Sequence, residues 1–188
     1  MRIFTSMSLM AAVLAATPAL AAPAPSWIVD KSHSKIGFSA SMNGQPINGA
    51  FNRYDTRISF DPANLPGSSV TAVIDIASAA TGDATRDQSL PTPDWFNVRA
   101  FPRATFKSTG FKALGGGRYV AAGTLTIRGV SRPANLPFQL AIAGKQARMN
   151  GSLTIDRRWF GVGQGQFAGT EAVAANVRVN VSLSARQQ

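Results

Sequence analysis

The chain carries a single histidine, His33, between two serines as Ser32-His33-Ser34, and it has no cysteine. Histidine is the side chain whose ordinary pKa suits proton transfer near neutral pH, so nucleophilic or acid–base chemistry would have to start here. Serines adjacent in sequence make poor partners for it, because a catalytic triad is assembled from separated segments, and no Gly-x-Ser-x-Gly elbow occurs. His33 is therefore read as a polar residue that pins the first strand at the mouth of the fold, with contact to a ligand head group as its alternative use. No catalytic residue is assigned.

Metal chemistry has as little to work with. One histidine leaves only nine scattered carboxylates as ligands, and zinc sites need His and Cys clusters. The run Gly82-Asp83-Ala84-Thr85-Arg86-Asp87 has too few oxygens for a calcium loop and holds a competing arginine. Gly161-Val162-Gly163-Gln164-Gly165 looks at first like a phosphate-cradling loop, but that fingerprint requires a strand before it and a helix after it. It is expected to be a flexible rim loop whose amides could still grip an anionic head group. Neither a metal nor a cofactor is expected.

The formal charge is +10, yet the basic residues are spread singly from Lys31 to Arg186, with Arg157-Arg158 the one adjacent pair in that stretch. No segment alternates aromatic and basic residues as a nucleic-acid platform would, so nucleic acid is not an expected partner. What survives is a weak preference for anionic head groups or surfaces, including transient contact with a membrane surface.

The N-terminus gives the address. Arg2 precedes the apolar run Leu9 to Ala16 and the small-residue exit Ala19-Leu20-Ala21, the pattern of a secretory signal peptide cut after Ala21. The run is shorter than the roughly 20 apolar residues a spanning helix needs, and Pro18 interrupts it. Residues 1–21 are thus read as signal and residues 22–188 as one domain working outside the cytoplasm, held without disulfides.

The elements that must position any site are strands. Apolar residues fall on alternate positions at Ile36, Phe38, Ala40 and Met42, and again from Ile47 to Phe51, Ile58 to Phe60, Val70 to Ile76 and Ala104 to Phe106. The pattern resumes from Tyr119 to Ile127, Ala134 to Ile142, Ala147 to Ile155 and Ala175 to Leu183, separated by breakers such as Asn43-Gly44 and Gly115-Gly116-Gly117. Eight or so amphipathic antiparallel strands avoid exposed edges most completely by closing on themselves, so an all-β barrel is the first choice and a two-sheet sandwich the second. Thr81 to Leu90 breaks the alternation and predicts a short helix capped by Thr81 or Asp83. Trp95-Phe96 follows it in a Pro-rich loop, so residues 81–98 would lie over one end as a lid.

Register places Phe38, Phe51, Ile74, Phe106, Leu125, Phe138, Leu153 and Val177 in one interior, with Trp95 and Phe96 closing it. Ala40, Gly49, Ala72, Ala121, Gly123, Ala147, Gly151 and Ala175 point the same way and are expected to leave space for an elongated apolar ligand. Polar residues matter only at the mouth, where His33, Arg86, Asp87 and Arg158 are the candidate head-group contacts.

In order, the motifs resemble a known family. Trp27-Ile-Val-Asp30-Lys-Ser32-His33-Ser34 with Ile36-Gly37-Phe38, then Thr81-Gly82 with Arg86-Asp87 and Leu90, are similar to the opening and middle of the YceI-like proteins. So are Trp95-Phe96-Asn97-Val98 with Phe101-Pro102-Arg103-Ala104-Thr105-Phe106, Gly123-Thr124-Leu125-Thr126-Ile127-Arg128-Gly129, and Asp156-Arg157-Arg158-Trp159-Phe160-Gly161. The resemblance implies an eight-stranded antiparallel, lipocalin-like barrel that encloses a polyisoprenoid, quinone-type or fatty-acyl amphiphile in the periplasm, without catalytic residues. It implies a carrier or sequestering protein. Two other readings stay open: an enzyme that modifies such a lipid, and a stress-response structural protein whose barrel is filled by its own side chains.

Overall fold

The computed structural model describes residues 23–188, so the expected signal peptide at residues 1–21 lies outside the described residues. The described strands are β1 (Ser26–Val29), β2 (Lys35–Met42), β3 (Gln45–Phe51), β4 (Tyr54–Ser59), β5 (Ser69–Asp75), β6 (Ala79–Ala80), β7 (Arg103–Gly115), β8 (Arg118–Ile127), β9 (Val130–Ala143), β10 (Gln146–Asp156) and β11 (Asn176–Gln187). Eight of them form a closed antiparallel barrel in the order β1, β4, β5, β7, β8, β9, β10, β11 and back to β1. Closure leaves no long edge in the ring to recruit another chain. The seam is locked at Trp27, which faces Gln187 on one side and Ile58 on the other, and whose indole N–H donates to the Phe60 carbonyl at 2.9 Å.

The remaining strands branch from β11. A 3-10 turn, Lys31–His33, separates β1 from β2, and the Asp30 carboxylate caps it by accepting from the Ser32 amide at 3.0 Å. Beyond the turn β2 pairs with β11 further along, from Arg178 to Ser182, then with β3, which pairs with β6. β1 and β6 were not anticipated, because four and two residues are too few to show a period.

Alternation behaves as the pleat requires. Along β11, Val177, Val179, Val181, Leu183 and Ala185 face the interior, while Asn176, Arg178, Asn180 and Ser182 are exposed. Three positions depart from the expected strands. Phe60 lies just past the end of β4, Ile76 sits in a 3-10 turn after β5, and Ala175 lies before β11.

The two ends of the barrel are finished differently. At the β1 end Phe60 stands edge-on to Phe111, Tyr119 and Phe138, with ring centroids 5.1, 5.5 and 6.1 Å apart, and these rings plug it. At the other end lies a cap of helix α1 (Ala84–Ser89), the loop at residues 91–98 and the loop at residues 161–174. Asp83 is the N-cap of α1, its carboxylate accepting from the Arg86 amide at 2.9 Å. Thr81 instead donates its amide and hydroxyl to Asp87 at 2.7 and 2.6 Å, which folds the segment back on itself.

Candidate ligand-binding cavity

A cavity of about 480 Å³ occupies the barrel, and its lining is almost wholly apolar. It is lined from Val177 to Ala185 along β11, a run of eight steps or roughly 26 Å at about 3.3 Å per residue. All ten residues assigned to the interior from the sequence line it: Phe38, Phe51, Ile74, Trp95, Phe96, Phe106, Leu125, Phe138, Leu153 and Val177.

The small residues divide. Ala40, Ala72, Ala121 and Ala147 face the cavity. Gly49, Gly123 and Gly151 do not open it, because a Cβ there would stand 2.2 Å from the Phe38 ring, 2.7 Å from the Phe106 ring and 2.9 Å from Phe138 Cβ respectively. Each glycine is covered by an aromatic residue, so the expected space is already taken. Ala175 lies outside the strand and outside the lining.

Polar groups cluster at the cap end, where Thr81, Thr85, Arg86 and Ser89 edge the lining from α1 and its approach. Of the four expected head-group contacts only Arg86 belongs there. Its guanidinium is tied to Thr81 Oγ1 at 3.3 Å and to Asp83 at 3.5 Å. His33 sits on the exposed turn outside the lining, its Nδ1 2.8 Å from Asp30. The two residues that bond Asp30, Ser32 first and then His33, hold its carboxyl down at about 2. Asp87 is turned away onto Thr81, whose hydroxyl and amide keep its carboxyl below the usual range. Arg158 points outward and grips Asp156 with Nε at 3.0 and 3.1 Å and Nη2 at 2.6 Å.

Of the adjacent pair it is Arg157, 3% exposed, that reaches the cavity. Its five N–H groups meet five carbonyls: Nε to Ala174 at 3.1 Å, Nη1 to Val162 at 2.8 and Gly163 at 3.3 Å, and Nη2 to Gly169 at 2.5 and Val173 at 2.8 Å. Burial pulls its pKa below the ordinary guanidinium value, and the nearby Asp156 charge opposes that. The glycine-rich loop thus serves a cation, not an anion. Gly161 and Gly163 adopt positive φ (64° and 79°), and the loop carbonyls of Val162 and Gly163 point at Arg157. The amides of Gly161, Val162 and Gln164 are spent on Arg158, Arg157 and Asp94 carbonyls. A single adjacent Arg pair signals one outward and one inward side chain, but not which is which.

The cap is cross-linked. Arg128 Nη1 donates to the Pro93 carbonyl at 2.6 Å and to the Trp95 carbonyl, the Gln164 amide donates to the Asp94 carbonyl at 2.7 Å, and Trp95 packs on Phe167 with centroids 4.9 Å apart. Among the described residues no three of His, Asp and Glu come together as a metal site, and no carboxylate or imidazole lines the cavity.

The YceI-like domain family matches residues 27–185, the whole of the barrel from β1 almost to the end of β11. The chain belongs to the YceI-like family. Among relatives of this YceI-like protein, a UPF0312 protein of Vibrio cholerae is 31% identical over 166 residues, covering 82% of this chain and 88% of the relative. The crystal structure of Burkholderia cenocepacia BcnA is 32% identical, covers 84% of this chain and 99% of that one, and superposes with a TM-score of 0.80. A polyisoprenoid binding domain from Saccharophagus degradans, implicated in plant cell wall breakdown, is 18% identical, covers 87% and 99%, and shares the fold with a TM-score of 0.67.

Proposed function

We propose that this YceI-like protein carries or sequesters a long apolar lipid, of polyisoprenoid, quinone or fatty-acyl type, inside its barrel. The observation that carries the reading is the apolar cavity of about 480 Å³, with polar groups gathered at the α1 end. Its size falls in the range of roughly 300 to 1,000 Å³ usual for small-molecule sites. Each methylene buried contributes about 0.8 kcal/mol, so several isoprene units bind without one specific hydrogen bond. The ligand class named for the Saccharophagus degradans domain is of this kind. The signal-like N-terminus supports a periplasmic site of action.

Open space in the interior speaks against a barrel filled by its own side chains. A lining without carboxylate or imidazole speaks against an enzyme that moves protons on the lipid. The test is replacement of Ala40 and Ala72, which face the cavity, by Phe. The expected double variant folds and loses the lipid that mass spectrometry of organic extracts finds with the unsubstituted protein. Undiminished lipid recovery overturns the reading, and so does conversion of the bound lipid to a new product on incubation.

A further inference from the structure

Between Asp94 and Asp156 the sequence holds no carboxylate, and none follows Glu171. Those two intervals are β7 to β10 and β11, so five neighbouring strands turn lysines and arginines outward with one acid among them. That acid, Asp156, ends β10 and is occupied by Arg158. Of the other ion pairs among the described residues, Lys31 with Asp55 and Arg53 with Asp75 engage the acids at β4 and β5, His33 with Asp30 stays within the β1–β2 turn, and Arg86 with Asp83 stays within the cap.

Register shows how the free cations are arranged. One lateral row runs Arg118, Gln139, Asn150, Ser182, Lys35 across β8, β9, β10, β11 and β2, and spans about 19 Å at the usual strand spacing. Arg148, opposite Ser184, and Arg178, opposite Thr154, stand above and below that row, about 20 Å apart along the strands. The four cations are exposed and make no ion pair. Lys35 and Arg118 line a shallow groove of about 870 Å³ on the outer wall, with Arg148 and Arg178 standing outside its lining; Asn48, Asn150, Ser152, Asn180 and Ser182 give it amides and hydroxyls, and Leu114, Tyr119 and Pro137 an apolar part.

We propose that this groove, with the four cations, docks the protein on the head-group layer of an anionic phospholipid membrane. Cations at the corners of a patch suit phosphates spread over a surface, and the amides and hydroxyls between them match the glycerol hydroxyls of phosphatidylglycerol. A single-stranded nucleic acid would want bare aromatic faces, and the one tyrosine on the groove, Tyr119, is stacked on Phe138 at 5.5 Å. The purpose of docking rests on the lipid-carrier reading, since a carrier must meet the membrane that supplies or receives its cargo.

The test is co-sedimentation with vesicles of equal parts phosphatidylglycerol and phosphatidylcholine, against phosphatidylcholine alone, at about 0.05 and about 0.5 M salt. The protein is expected to bind only the anionic vesicles and to release at high salt. Lys35→Gln, Arg118→Gln, Arg148→Gln and Arg178→Gln together are expected to weaken binding by about tenfold or more. The same number of charges removed at Lys31, Arg53, Arg57 and Arg99 should leave most of it. Equal loss in both variants, no vesicle binding, or binding to heparin or single-stranded DNA without vesicles each overturns the proposal. Two double variants, at Lys35 with Arg118 and at Arg148 with Arg178, keep the test decisive if the quadruple one misfolds. Lipid recovery is measured on the same samples: vesicle binding without any co-purified lipid sinks the carrier reading and leaves the docking surface standing.

Discussion

The ring of Phe38 lies across Gly49, its partner on β3, so closely that a Cβ at Gly49 would stand 2.2 Å from Phe38 Cζ. The two residues share one volume. Gly49→Ala is therefore expected to push the ring into the cavity, which both strains the wall and shrinks the space for a ligand. Overpacking of this kind costs about 1 to 3 kcal/mol, and in a domain of this size each kcal/mol lowers Tm by about 2 to 4 °C. A melting curve identical to that of the unsubstituted protein would show that the ring is free to move elsewhere.

That relationship marks how far the sequence could be read. Alternation identifies which face of a strand is inward, and all ten assigned interior residues do line the cavity. It cannot tell a vacant glycine from a covered one, because that depends on the rotamer of the residue across the ladder. Gly49, Gly123 and Gly151 alternate like Ala40 and Ala72, yet aromatic residues occupy their space.

The mouth was harder still. His33 and Asp87 carry chemistry by type but spend it locally, on Asp30 and on Thr81. Turns consume polar side chains through contacts two to six residues apart, and no period announces them. Arg157 was the larger omission. Period-two logic at the end of β10 makes residue 157 inward, after Leu153 and Ile155, so the signal existed, but a charged residue at an interior position argued against itself.

Arg157→Met tests that assignment. Removing the guanidinium leaves five carbonyls without their donor, and breaking such a buried cluster costs about 3 to 5 kcal/mol. Proteolysis within residues 161–174 is expected to accompany the drop in Tm. Arg158→Ala, one residue on and solvated, is expected to move Tm far less. Equal effects from the two would mean that the buried cluster does not hold the loop.

The β1–β2 turn predicts a response to acid. Asp30 is held at about 2 by Ser32 and His33, below the ordinary aspartate value of roughly 3.9. A depressed folded-state pKa gives stability that is present above the unfolded value and lost as pH falls through the folded one. The turn is thus expected to loosen between about pH 4 and pH 2, seen as a loss of amide-exchange protection at Ser32 and His33 relative to the intrinsic rate at each pH. In Asp30→Asn this pH dependence should vanish; if it persists, another group drives it.

Arg128 is a long-armed anchor of the lid that stands outside the cap itself. Arg128 occupies the β8–β9 turn at φ 49°, beside Gly129 at φ 73°, and from there reaches the carbonyls of Pro93 and Trp95. Trp95 and Phe96 line the cavity, so the loop that Arg128 holds forms part of its wall at the cap end. Asparagine tolerates the left-handed conformation better than most residues, so Arg128→Asn keeps the turn while removing the arm. Hydrogen bonds from a charged donor are worth about 1.5 to 3 kcal/mol each. Loss of the pair is therefore expected to speed release of a fluorescent long-chain probe by about tenfold or more, with the barrel's melting temperature little changed. The Gln164 to Asp94 bond and the Trp95–Phe167 contact remain in that variant, so the lid should loosen and not detach. An unchanged release rate would place the exit path away from the lid, toward the plug of Phe60, Phe111 and Tyr119 at the other end.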